Sequence, residues 1–259
     1  MGHFIKKTLS SVYGAWRMIT NQDFALLKRE LSKRFYSTTV TLGLKRNLEM
    51  EFEHPDAKIP ILVRKLKTSD VVHLMGNGDL EENDFKLYKY QMGVIEAGIP
   101  DGYVAVTGTE TPCYMQFLMG AEQNDKIQNH FDGLFPLLRK DQALLEAAYM
   151  HPTYRGYRIM PAAMSRIAVQ AQKTGVREVL TFVDKSNIPS LKGCRRSGFT
   201  PYIIRLDKWF LFRLKPIFKP LTQAVLEEYY NNMGVSYPPE PQKSKSKSHK
   251  ETQFVNGTT

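Results

Sequence analysis

Between residues 144 and 202 the apolar positions change period twice. Leu144-Leu145-Glu146-Ala147-Ala148-Tyr149-Met150 is an apolar run of the length of a buried strand. It meets a polar loop, His151-Pro152-Thr153-Tyr154-Arg155-Gly156-Tyr157-Arg158. From residue 160 to 173 the period becomes helical, with Met160, Ala163, Met164, Ile167, Ala168 and Ala171 at i, i+3, i+4 spacing. Pro161 in the first turn and Gly175 just past the end fit the boundaries of that helix. Residues 178–183 read as a second strand, which completes a β-α-β unit. Ser186-Asn187 then opens a short helix that stops at Gly198, before Phe199.

The same reading extends to both flanks. Residues 3–19 predict an amphipathic helix, with Ile5, Leu9, Val12, Tyr13 and Trp16 on one face beside Lys6, Lys7 and Arg17. Its apolar face suits a membrane surface, or the protein's own domain or a second subunit. Gly14 and the serines make a poor lipid face and favour protein. A second helix is expected over 23–35 and a strand over 38–44, with 45–60 as a linker. Residues 61–66 read as a strand, and Thr68-Ser69-Asp70 as the cap of a helix over 71–74. A helix over 80–97 ends at Gly98 and Pro100. Strands over 102–107 and 113–119 pair as a hairpin across Gly108-Thr109-Glu110-Thr111-Pro112. The insertion 120–141 reads as a covering helix, as part of a pocket, or as a dimer contact. Strands are expected over 202–206 and 209–214 with Asp207-Lys208 as the turn, then a break over 215–220 and a last helix over 222–231. From residue 237 the chain is rich in Pro, Ser and Lys without a core pattern and reads as disordered. The expected organisation is a helical extension and linker over 1–58, a domain over 59–234 and a tail over 235–259.

Composition narrows the function without choosing it. A chain of 259 residues with 42% hydrophobic positions buries a sizeable core. The formal net charge of +10 suits an anionic ligand or surface, but no nucleic-acid-binding motif accompanies it, and no nucleic-acid partner is expected. Cys113 and Cys194 are too few for a disulfide framework or a zinc site, so neither metal nor disulfide is expected and a reducing, cytoplasmic setting is the simplest. The alternative keeps the protein peripheral to the inner face of a membrane through residues 3–19.

Two spaced motifs carry a resemblance. The first is Arg155-Gly156-Tyr157-Arg158-Ile159-Met160 between strand and helix. The second is Asn187-Ile188-Pro189-Ser190, then Cys194, then Gly198-Phe199. Together, at this separation and on a strand–helix–strand–helix pattern, they resemble the GNAT superfamily of CoA-dependent N-acyltransferases over residues 60–215. The family loop reads Arg/Gln-x-x-Gly-x-Gly/Ala, and Arg158 and Met160 stand in its two small-residue slots. Cys194 stands where relatives carry a tyrosine that acts as general acid toward the CoA thiolate. The resemblance implies a GNAT-like α/β fold with a mixed sheet, preceded here by a helical extension. It also implies that the first strand splays from the second and that pantetheine pairs with the backbone of Tyr149, Met150 and His151. The implied co-substrate is acetyl-CoA or another acyl-CoA, and the acceptor an amine of a small molecule or amino sugar. A GNAT-fold protein that binds CoA or a partner without catalysis is the alternative.

Acyl transfer needs the pyrophosphate held, the amine deprotonated and the thiolate stabilised. Arg155, Tyr157, Arg158 and Ile159 lead into a helix N-terminus, whose N–H groups suit a pyrophosphate; Gly156 lets the backbone come close, and Arg158 either adds charge to the phosphates or blocks them. Glu146, a charge inside an apolar strand, is the first candidate base, because desolvation raises a carboxyl pKa. His151 is the second. Cys194 is either a proton donor to the thiolate or a small buried residue. Asn187, with Ser190 after it, either bridges to pantetheine or caps its helix.

Overall fold

A computed structural model describes residues 32, 34–75, 90–99 and 102–237. The expected helix over 3–19, most of that over 23–35, much of that over 80–97 and the tail beyond 237 lie outside these residues. Eight strands form one mixed sheet: β1 (Tyr36–Asn47), β2 (Ile61–Lys65), β3 (Gly102–Thr107), β4 (Pro112–Gly120), β5 (Gln142–Met150), β6 (Glu178–Asp184), β7 (Thr200–Phe210) and β8 (Arg213–Lys219). Their order across the sheet is β2-β3-β4-β5-β6-β1-β7-β8. The helices are α1 (Thr68–Met75), α2 (described over 90–96), α3 (Asn124–Phe131), α4 (Ile159–Gln170), α5 (Ile188–Arg196) and α6 (Gln223–Met233).

The central strands are apolar because they are covered. Phe117, Met119, Leu144, Leu180 and Phe182 of β4, β5 and β6 pack with Val94 and Ile99, with Ile127 and Phe131 of α3, and with Phe135 and Leu138. The insertion 120–141 is thus a covering segment built on α3. Asn124 holds it closed, its side chain exchanging hydrogen bonds with the backbone of Leu138 at 2.9 Å each way. Val71 and Leu74 of α1 pack with Val104, Met115 and Tyr149. Asp70 anchors the start of α1: its carboxylate accepts the Lys67 N–H at 2.8 Å and takes a two-pronged pair from Arg64. On α4, buried Ala162, Ala163, Ile167 and Ala168 continue the expected stripe. A short 3-10 turn prolongs α4 to Gly175, which takes a left-handed φ of 82°.

Three sequence expectations are corrected. The boundary at residue 58 would leave residues 36–47 outside the sheet, yet β1 lies between β6 and β7, antiparallel to both. Thr41, Leu42 and Leu44 are buried there, so the sheet begins at Tyr36. The turn after β7 is Leu211-Phe212, not Asp207-Lys208. Asp207 instead stays in β7, where its buried carboxylate accepts two hydrogen bonds from Arg205 and one from Thr41. Residues 215–219, expected to break regular structure, continue β8. Proline is tolerated on this edge strand because an outward N–H is not needed.

The linker over 48–60 is tied down. His54 Nδ1 lies 2.7 Å from Ser165 Oγ on α4, and the Lys58 N–H donates to Tyr157 O at 2.8 Å. By compactness the chain divides after Leu221. Within the second unit, Thr222 Oγ1 caps α6 by accepting the Val225 N–H at 3.4 Å, and Gly234 ends it with a φ of 71°. No helix among the described residues is long and apolar enough to cross a membrane.

Candidate active site

The parallel strands β5 and β6 pair only at Gln142↔Glu178, Ala143↔Val179 and Leu144↔Leu180. Beyond Leu144 they part, and the side of β5 facing β6 is left without a strand partner. The other side of β5 stays paired with β4 as far as Tyr114↔Met150. The pairing jumps between Met115↔Tyr149 and Phe117↔Glu146, so Ala147 and Ala148 oppose a single residue, Gln116. At this bulge Ala147 takes a left-handed φ of 56°, which an alanine adopts only under constraint. One constraint is visible: Gln91 of α2, wholly buried, donates its amide N–H to Ala147 O at 2.9 Å. Its Oε1 is buried and, among the described residues, has no hydrogen-bond partner.

Glu146 sits where the strands diverge. Its Oε1 accepts the Phe182 N–H at 2.6 Å and the Thr181 hydroxyl at 3.3 Å, so the side chain takes the place of the missing strand pairing. Burial pushes its carboxyl up from 4.5 to about 7, against the downward pull of the Phe182 N–H, the Arg205 charge, the Ala147 N–H and the Thr181 hydroxyl. A carboxyl near 7 exchanges protons at neutral pH.

Cys194 of α5 and Tyr114 of β4 share this electrostatic neighbourhood. The Cys194 residue is 1% exposed, and burial, followed by the Glu146 charge, pushes its thiol far up. Burial also raises the Tyr114 hydroxyl, which Cys194 and Glu146 raise further; it donates to Gln116 Oε1 at 2.6 Å. His151 lies beyond the end of β5, half-buried, with its N–H bonded to Cys113 O at 3.0 Å and its ring edge-on to Tyr154.

The loop ahead of α4 keeps its shape despite its altered residues. Residues 152–154 make one 3-10 turn, Gly156 has a φ of 86° with open space where a Cβ would lie, and Arg158 has a φ of 57°. Arg158 occupies a slot where the resembled family has glycine, and its backbone adopts the left-handed conformation that glycine favours. Met160, in the second small-residue slot, is accommodated by Gly193 of α5, where a Cβ would come within 3.0 Å of the Met160 sulfur. Arg155, Tyr157 and Arg158 are exposed together, and no side chain caps the helix N-terminus they surround. Its first N–H groups therefore have no acceptor within the helix. The Ile159 side chain is core, which leaves only its backbone to the site. Asn187 caps α5, its Oδ1 accepting the Ser190 N–H at 3.2 Å.

Glu146 and Cys194 thus share the region where β5, carrying Tyr149 and Met150, has parted from β6, with the loop residues 155–160 next in the chain. Sequence reasoning missed Gln91, Tyr114 and Gln116. Tyr114 and Gln116 lie in an apolar strand run, and only the charge of Glu146 stood out at this depth. Among the described residues no cluster of three or more His, Cys, Asp or Glu side chains gathers as metal ligands.

No protein-family model matches the chain, and no match exists among curated proteins. Solved structures do match in fold. One is a region described as a GCN5-related glucosamine N-acetyltransferase in a fungal multi-domain β-N-acetylglucosaminidase, at 15% identity and TM-score 0.48, covering 73% of this chain and 22% of that one. A GNAT-family acetyltransferase from Colwellia psychrerythraea matches at 14% identity and TM-score 0.44, over 73% of this chain and 61% of its own. A GCN5-related N-acetyltransferase from Sphaerobacter thermophilus matches at 14% and 0.42, over 70% and 56%. This chain therefore spans less than two thirds of the length of each. Its own elements are a mixed sheet whose parallel central pair parts beside a bulge, next to a loop and a helix N-terminus, the layout that the sequence resemblance implies.

Proposed function

We propose that the chain is an acyl-CoA-dependent N-acyltransferase, transferring an acetyl group to the amine of a small molecule or amino sugar. The observation that carries this reading is the place of Glu146, a half-buried carboxyl in the fork between β5 and β6 that accepts the Phe182 N–H and is pushed up to about 7 by desolvation. The flank of β5 that has parted from β6 presents the backbone around Met150 toward where the pantetheine amides would lie. The N-terminus of α4, with Arg155 and Arg158 exposed beside it, fits an anionic pyrophosphate. Glu146 takes the proton that an ammonium acceptor must lose. The freed nitrogen lone pair then attacks the thioester carbonyl, the carbon–sulfur bond breaks, the thiolate leaves with the electron pair, and the second nitrogen proton passes to that thiolate, leaving the neutral amide and free CoA thiol.

The test is release of free CoA thiol from acetyl-CoA with a panel of small amines and amino sugars. Glu146→Gln should lower turnover by about 10²–10⁴-fold, the usual worth of a positioned base. Turnover unchanged in Glu146→Gln rejects the role given to Glu146.

A second reading, CoA binding without catalysis, is favoured by one observation. Cys194 holds the slot of the family's acid, yet its thiol is buried and pushed far up. Acetyl-CoA binding with no turnover on any amine of the panel selects this reading.

A further inference from the structure

The end of the sheet away from β2 carries a cluster of large apolar side chains in solvent. The β7–β8 hairpin turns at Phe210-Leu211-Phe212, which are 61%, 50% and 55% exposed. Phe35 and Tyr36, at the start of β1, are more than half exposed beside them. The tip is one built unit. Tyr36 pairs with Phe210, and the N–H groups of Leu211 and Phe212 donate at 2.9 Å to Phe35 O and Arg34 O. The Phe35 and Phe212 rings meet edge-on at 6.4 Å, and the Arg34 guanidinium lies 5.8 Å from the Trp209 ring.

The turn itself argues that these side chains are there for contact. Leu211 and Phe212 have φ values of 47° and 64°, both left-handed. A two-residue hairpin turn of this hand favours Asn-Gly, and a bulky residue there strains the backbone. Folding stability therefore favours neither the residue types nor their exposure. The charge near the tip is basic. Arg34, Lys208, Arg213 and Lys215 are exposed, and the acid on β1, β7 and β8, Asp207, is buried against Arg205; the exposed Asp184 of β6 lies farther off, opposite Thr41. Aromatic tips ringed by Lys and Arg match the interfacial zone and headgroups of an anionic bilayer. A second copy of the chain would bring the same positive charge against this surface. The chain's own N-terminal residues, with Lys6, Lys7, Arg17, Lys28 and Arg29, are also basic.

We propose that the Phe210-Leu211-Phe212 hairpin tip, with Phe35 and Tyr36, docks the protein onto the surface of an anionic lipid bilayer. The surface is separate from the acyl-transfer site and does not rest on that reading.

The test uses the full chain and vesicles of phosphatidylcholine with or without phosphatidylserine. The wild type should co-sediment with the anionic vesicles, and added salt should weaken binding. Leu211→Asn with Phe212→Gly supplies the residues that the turn favours. It should keep or raise Tm while weakening vesicle binding by about tenfold or more, since removing two inserted apolar side chains exceeds that in transfer free energy. The chain has two tryptophans, so Trp16→Phe leaves Trp209 as the sole reporter, and brominated lipids should quench it on docking. Trp209 emission that stays unquenched while vesicles are bound overturns the proposal, because docking then occurs elsewhere, as through the N-terminal residues. So does wild-type binding in the double variant, absence of binding to anionic vesicles, or a dimer of the wild type that the double variant dissolves without any lipid binding.

Discussion

Glu146 gives a prediction in which folding stability reports on the same desolvation that suits it to proton transfer. Burial holds its carboxyl near 7 rather than 4.5. Between those pH values the folded protein keeps a proton that the unfolded chain has released, so stability falls as pH rises through the window and levels off above it. The rise from 4.5 to about 7 corresponds to about 3 kcal/mol in total, at about 1.4 kcal/mol per pH unit. Glu146→Gln has no proton to exchange, yet its amide oxygen can still accept the Phe182 N–H. Urea unfolding of both proteins across about pH 4.5 to 8 isolates the effect, because all other titrations cancel in the difference. The variant should gain on the wild type by about 3 kcal/mol between the two ends, with no further change above about pH 7. A difference that does not vary with pH would refute the reasoning: the carboxyl would then be solvated, and its case as a base near neutrality would fail.

Two smaller tests bear on the altered motif positions. Arg158→Gly should raise stability by about 1 kcal/mol, the usual cost of a left-handed non-glycine residue, while weakening acetyl-CoA binding and flattening its salt dependence; a lower Tm would mean that the Arg158 side chain packs. Cys113 and Cys194, both buried and with thiols raised by burial, should resist a thiol reagent in the folded protein and react fully in denaturant. Cys194→Tyr should cost about 1–3 kcal/mol by overpacking; an undiminished Tm would mean that the pocket has room for the tyrosine of the resembled family.

The core of the fold was legible because local signals agree there. Helical spacing from Met160 to Ala171, Pro161 near the start and Gly175 at the end locate α4 without reference to partners. Glu146 stood out because a charge in an apolar strand demands an explanation, and the fork supplies one. The place of β1 was hidden, since the position of a strand in a sheet depends on partners distant in sequence, here β6 and β7. The last turn misled for a physical reason. Asp207-Lys208 has turn composition, but Arg205 and Thr41 satisfy the aspartate inside β7, and the chain turns at two apolar residues instead. The bulge at Ala147 left no trace in residue type, because the Gln91 amide N–H that donates to its carbonyl comes from another element. Arg158 conceals its backbone conformation in the same way: the left-handed φ persists where the glycine that usually marks it is gone.

The central claim is that the flank of β5 parted from β6 and the left-handed loop before α4 form a working acyl-CoA site. Calorimetric titration of the full chain with acetyl-CoA, repeated with Gly156→Val, tests it most directly. Gly156 has a φ of 86°, which a β-branched residue adopts only with strain, while the open space around it leaves the rest of the fold undisturbed. The account predicts saturable, salt-sensitive binding at one site per chain, weakened in the variant. No heat of binding at millimolar acetyl-CoA, or equal affinity in the variant, would contradict it.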